Sequence, residues 1–86
     1  MRYSVRLRGA AAKEFRGLPE TIQQRVLEVL VGLQQEPRPA GAKPLTGQLQ
    51  GLLRIRIGEY RVVYQVEDDE RLISIIRIRP RGRAYN

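Results

Sequence analysis

The chain has 86 residues, 42% of them hydrophobic, which is enough for one modest core and a single domain over residues 1–86. Its formal net charge of +7 and pI of about 10.8 suit a polyanionic partner, nucleic acid or an acidic protein, although the same charge also serves solubility. With no cysteine and no histidine, disulfides, the usual zinc ligands and the commonest acid–base side chain are excluded.

Met1-Arg2-Tyr3-Ser4 lacks the form of a signal peptide, and no apolar run approaches the ~20 residues a membrane span needs. A cytoplasmic protein with no membrane contact is expected. Residues 3–7 alternate, with Tyr3, Val5 and Leu7 on one side and Ser4 and Arg6 on the other, as in a half-buried strand. A short helix follows over Ala10–Arg16, carrying Phe15, and Gly17 ends it. Pro19 and Glu20 suit the first turn of a second helix. There Ile22, Val26, Val29, Leu30 and Leu33 form one apolar stripe, widened by Leu27 and Val31. This helix stops near Glu36, before Pro37.

Residues 37–51 hold Pro37, Pro39, Pro44, Gly41, Gly47 and Gly51 and read as a loop. It is long for a structureless connection, which points to a binding role or a short turn of helix. Leu53–Ile57 alternates again, Gly58-Glu59 fits a type II′ turn, and Tyr60–Val66 is the returning strand. Glu67–Glu70 forms an acidic turn, and a last strand runs from Leu72 to Arg79, ended by Pro80. The expected fold is α+β, in the order β-α-α-β-β-β, an antiparallel sheet with a helical hairpin packed on one face.

The hairpin carries a geometric consequence. With Gly58-Glu59 as the loop, Arg56 faces Arg61 and Arg54 faces Val63, so Arg54, Arg56 and Arg61 share one face of the sheet. Leu53, Ile55, Ile57, Tyr60, Val62, Tyr64 and Val66 point toward the helices. Opposing two arginines costs from a few tenths to roughly 1 kcal/mol. A chain shaped by stability alone would place a carboxylate there, so three arginines on one face point to function.

Both faces of the last strand contain apolar residues, with Leu72, Ser74, Ile76 and Ile78 on one and Ile73, Ile75, Arg77 and Arg79 on the other. Because unpaired charge is costly to bury, Arg77 and Arg79 are assigned to the open face, where Ile73 and Ile75 would meet Val63 as a small apolar floor. Arg81, Arg83 and Tyr85 follow. Arginine forks match phosphate oxygens, and a tyrosine ring can stack on a base. Arginine stays protonated, so its part is orientation and charge stabilisation, not proton removal. The acidic turn fits no compact metal site and reads as solvated. Tyr3, Tyr60 and Tyr64 read as core residues.

Several segments together resemble the RelE/ParE superfamily of toxin–antitoxin toxins across nearly the whole chain. They are Ala12-Lys13-Glu14-Phe15, Leu18-Pro19, Lys43-Pro44-Leu45-Thr46-Gly47, the run from Leu53 to Tyr64, Ile78-Arg79-Pro80-Arg81, and Tyr85. On its RelE-like branch, the resemblance implies a ribosome-dependent mRNA endonuclease that works in the A site. There a ribose 2′-hydroxyl attacks the adjacent phosphate, with no metal and no small-molecule cofactor. It implies Arg54, Arg56, Arg61, Arg81 and Tyr85 as catalytic residues and a cognate antitoxin, the ribosome and mRNA as partners. Arg77, Arg79 and Arg83 would add RNA contacts. This chain departs from the family where it has Arg54 and Arg56 in place of a lysine, and Pro80 in place of histidine. Tyr85 is the next-to-last residue, so no C-terminal helix is expected. Two other readings stand beside this one: a ParE-like inhibitor of DNA gyrase, and a non-catalytic basic module that binds RNA or antitoxin.

Overall fold

A computed structural model describes residues 2–80. The elements are β1 (Ser4–Leu7), α1 (Gly9–Arg16), α2 (Glu20–Gln35), β2 (Lys43–Pro44), β3 (Leu53–Ile57), β4 (Tyr60–Glu67) and β5 (Leu72–Pro80). They form one five-stranded sheet in the order β1-β5-β4-β3-β2. The meander β3–β4–β5 is antiparallel as expected, and the helical hairpin packs against one face. β1 differs, because it pairs with β5 in parallel, Ser4 opposite Leu72 through Leu7 opposite Ile75. The two helices carry the chain from the β1 edge of the sheet to the far edge at β2. No helix among the described residues is long and apolar enough to cross a membrane.

The core lies between α2 and the sheet. Val26, Leu30 and Leu33 are buried against Ile57, Val62, Tyr64, Ile73, Ile75 and Ile78, and Ala11 of α1 completes the cluster. Ile22 and Val29 pack at its margin. Leu27 and Val31 do not widen this stripe: they are 45% and 57% exposed on the outer side of α2. Their positions place them away from the sheet, since a helix one turn wide at the core can bury only one stripe.

The hairpin turn forms as expected, with Gly58 at φ 60° and Ile57 opposite Tyr60. Residues 37–51 are not structureless. They contain β2, which pairs with β3, and a 3₁₀ turn at Gly47–Leu49. Two anchors tie the start of this segment to the sheet. Tyr64, fully buried, donates its hydroxyl to the Pro37 carbonyl at 2.8 Å, and burial pushes its pKa up to about 12, so it stays a neutral donor. Arg38 reaches both Asp68 carboxylate oxygens, at 3.2 and 2.9 Å, while Tyr3 donates to Asp68 Oδ1 at 2.7 Å. The acidic turn is therefore not merely solvated. The hydrogen bonds from Arg38 and Tyr3 hold the Asp68 carboxyl below its ordinary pKa. Tyr3 is half-buried and packs against the margin of the core, with its hydroxyl reaching out to Asp68.

β5 resolves the ambiguity of its two apolar faces. Val63 stands opposite Arg77, but the next residue, Tyr64, stands opposite Ile75, so Ile76 has no partner and forms a bulge. One extra residue reverses the alternation of the strand. Before the bulge, Ile73 and Ile75 face the helices; after it, Ile78 does. Ile73 and Ile75 therefore belong to the core and do not floor the open face beside Val63. The open face takes Ser74 before the bulge and Arg77 and Arg79 after it.

Candidate functional site

The register lays the basic residues out as two rows on the face away from the helices. In one row Arg56 of β3, Arg61 of β4 and Arg79 of β5 are direct neighbours. In the other, Lys43 of β2 lies beside Arg54, then Val63, then Arg77. Adjacent strands are about 4.8 Å apart, and successive same-face residues along a strand are roughly 7 Å apart. The result is a cationic grid with one apolar position, Val63, which is fully buried despite lying outside the helix-side core. Arg54, Arg61, Arg77 and Arg79 are half-buried, and Arg56 is exposed. Partial burial, with the like charges of Arg56 and Arg61, lowers the pKa of Arg54 from its usual value. It still carries its charge near neutral pH.

The open face continues onto β1, where Arg6 pairs with Ser74 and Ser74 with Gln65. Ser74 is fully buried, and its hydroxyl oxygen has no hydrogen-bond partner among the described residues. No pocket is enclosed among those residues either. Among them no three acidic side chains gather as a metal site.

The far border of the grid is held by Glu14 of α1. One carboxylate oxygen accepts from Arg77 Nε at 3.1 Å and Nη2 at 2.8 Å, and lies 3.7 Å from Arg79 Nε. The other accepts the Ile78 backbone N–H at 2.7 Å. β1 ends opposite Ile75, so the β5 edge beyond it needs another acceptor, and Glu14 supplies one. Desolvation tends to raise the Glu14 pKa, but the hydrogen bonds from Arg77 and Ile78 and the charges of Arg77 and Arg79 outweigh it and hold it below the ordinary value.

A depressed carboxylate pKa stabilises the fold above the unfolded-state value and loses that contribution as pH falls through the folded value. Glu14 and Asp68, with ordinary values of 4.5 and 3.8, both act in this direction. The urea midpoint is expected to hold from pH 7 to about pH 5 and to fall below it. A Glu14→Gln chain should show a shallower fall.

The structure brings together five of the residues singled out from sequence: Arg54, Arg56, Arg61, Arg77 and Arg79. Three further members of the surface were not singled out for function. Arg6 was legible as outward-facing, but not which edge its strand would join. Lys43, one of only two lysines in the chain, sat in a segment read as loop. Glu14 makes its contacts across 63 and 64 residues of chain, which no local pattern reports.

A family profile described as "ParE toxin of type II toxin-antitoxin system, parDE" matches residues 5–85. The chain is 38% identical over 84 residues to Toxin RelE of Mycobacterium tuberculosis, covering 96% of this chain and 86% of that protein. The chain belongs to the RelE/ParE family of type II toxins, and it is RelE-like. The fold agrees. The toxin–antitoxin complex RelBE2 from Mycobacterium tuberculosis contains a chain with a TM-score of 0.84 and 32% identity, covering 94% of this chain and all of that one. In the archaeal RelE–RelB complex from Pyrococcus horikoshii the figures are 0.80 and 36%, covering 98% and 100%. The ParE-toxin profile runs to residue 85 and so takes in Arg81, Arg83 and Tyr85, which lie outside the described residues.

Proposed function

We propose that this chain is the toxin of a toxin–antitoxin pair and acts in the cytoplasm as a ribosome-dependent mRNA endonuclease. The two rows of guanidinium groups on an open sheet face carry this reading. A bent phosphate backbone is the ligand such a grid fits, with Arg forks binding phosphate oxygens bidentately. The family relationship to proteins named RelE toxin supports the activity. The bound antitoxins in the relatives' complexes support a cognate antitoxin as partner.

In the proposed reaction the ribose 2′-oxygen loses its proton and attacks the adjacent phosphorus. The bond to the 5′-oxygen breaks, and that oxygen leaves as a hydroxyl after protonation. The products are a 2′,3′-cyclic phosphate and a 5′-hydroxyl end, with no metal or cofactor in the balance. Arg61 and Arg81 stabilise the charge developing on phosphorus-bound oxygens, while Arg54 and Arg56 orient the scissile phosphate. Tyr85 stacks on a base, and Arg77, Arg79 and Arg83 hold flanking phosphates. Arg54 and Arg56 do not remove the proton, because arginine stays charged.

The test is purified protein added to ribosomes programmed with a defined mRNA, read by primer extension. New ends in the A-site codon are expected, and intact mRNA would sink the reading. One observation favours a second target: the matching family profile carries the ParE description. Inhibition of gyrase supercoiling with mRNA left intact would establish that alternative.

A further inference from the structure

We infer that Glu14 is a positioning residue for RNA cleavage, holding Arg77 and Arg79 at the border of the arginine grid; this rests on the nuclease reading above. The contacts go beyond those of a surface ion pair. A single carboxylate takes both donors of the Arg77 fork on one oxygen and the Ile78 backbone N–H on the other. That fixes the side chain of Arg77 relative to the strand that carries Arg79. It also keeps the unpaired edge of β5 from taking another strand.

Arrangement matters more than affinity at this position. Glu14 places a negative charge beside a surface that must attract phosphate, so it opposes binding of the polyanion. A residue kept for RNA affinity would not be acidic. Its benefit lies in order: one carboxylate sets the Arg77 guanidinium beside Arg79 and against the β5 backbone before the substrate arrives. Misplacing such groups by about 1 Å can cost on the order of 100-fold in rate.

A purely structural cap and a positioning residue make different predictions for Glu14→Gln. The amide keeps a carbonyl acceptor and removes the charge. On programmed ribosomes, with rates taken per folded molecule, we expect kcat to fall tenfold or more while KM does not rise. Affinity for a fluorescein-labelled single-stranded oligoribonucleotide should be unchanged or higher. A smaller fall in kcat, or a raised KM with kcat kept, overturns the inference and leaves the nuclease reading intact. Intact mRNA with the unaltered chain overturns both.

Should Glu14→Gln not fold, nitrogen-edited NMR on the unaltered chain decides. The Arg77 Nε–H and Ile78 amide protons should exchange with water at least tenfold more slowly than the Nε–H of exposed Arg56. Equal exchange overturns the inference.

Discussion

Replacing Arg61 by alanine is expected to lower the cleavage rate on programmed ribosomes by about 100-fold or more, the usual loss when one group stabilising a developing oxyanion is removed. Arg61 is the middle member of the row Arg56–Arg61–Arg79, so no other side chain can take its place without moving. The fold should survive. Arg61 stands between Arg56 and Arg79, and relieving each like-charge contact returns a few tenths to roughly 1 kcal/mol, which offsets the loss of the contacts Arg61 itself makes. Thermal unfolding should therefore shift little. Arg61→Lys keeps the charge and loses the fork, so its rate should fall between those of alanine and arginine. Full cleavage by Arg61→Ala, with the chain folded, would remove Arg61 from the site.

Ile75→Ala should destabilise the protein by about 2–5 kcal/mol, a large share of the stability of so small a domain. Ile75 is fully buried opposite Tyr64 and packs with Val26, Leu30 and Leu33 on the helix side. Ile76→Ala, at the unpaired position next to it, should cost much less because that side chain is only partly buried. Urea unfolding of the two variants side by side tests the bulge. Without it the strand would alternate strictly, and Ile75 would lie with Arg77 on the open face. A mild Ile75→Ala and a severe Ile76→Ala would contradict the register.

These two positions also show where sequence was informative. Arg54, Arg56 and Arg61 were legible because a two-residue turn locks the register of its strands, and every side chain follows from it. β5 was not legible in the same way. A bulge adds one residue without a signature in composition, and Ile73, Ile75, Ile76 and Ile78 look alike on either face. Charge alone put Arg77 and Arg79 on the correct side, because desolvation excludes them from the core whatever the register. Unbroken alternation would have put Ile73 and Ile75 on that side too, but the bulge at Ile76 turns them into the core.

The long-range parts were hidden for a different reason. The parallel pairing of β1 with β5, the Arg38–Asp68–Tyr3 cluster and the Glu14–Arg77 contact all join segments more than 25 residues apart. Each is set by which edge of the sheet remains unfilled once the local meander has formed. The exposure of Leu27 and Val31 has the same origin: helical periodicity identifies apolar positions, but the width of the sheet contact decides how many are buried.

We propose that this arginine face cleaves translated mRNA. The most direct measurement is to induce the protein in growing cells and map transcript ends by their chemistry. Within minutes, new 5′-hydroxyl and 2′,3′-cyclic phosphate ends are expected inside translated reading frames, and they should be missing when Arg61→Ala is induced instead. Arrested growth with transcripts intact, or ends spread equally over untranslated RNA, would contradict it.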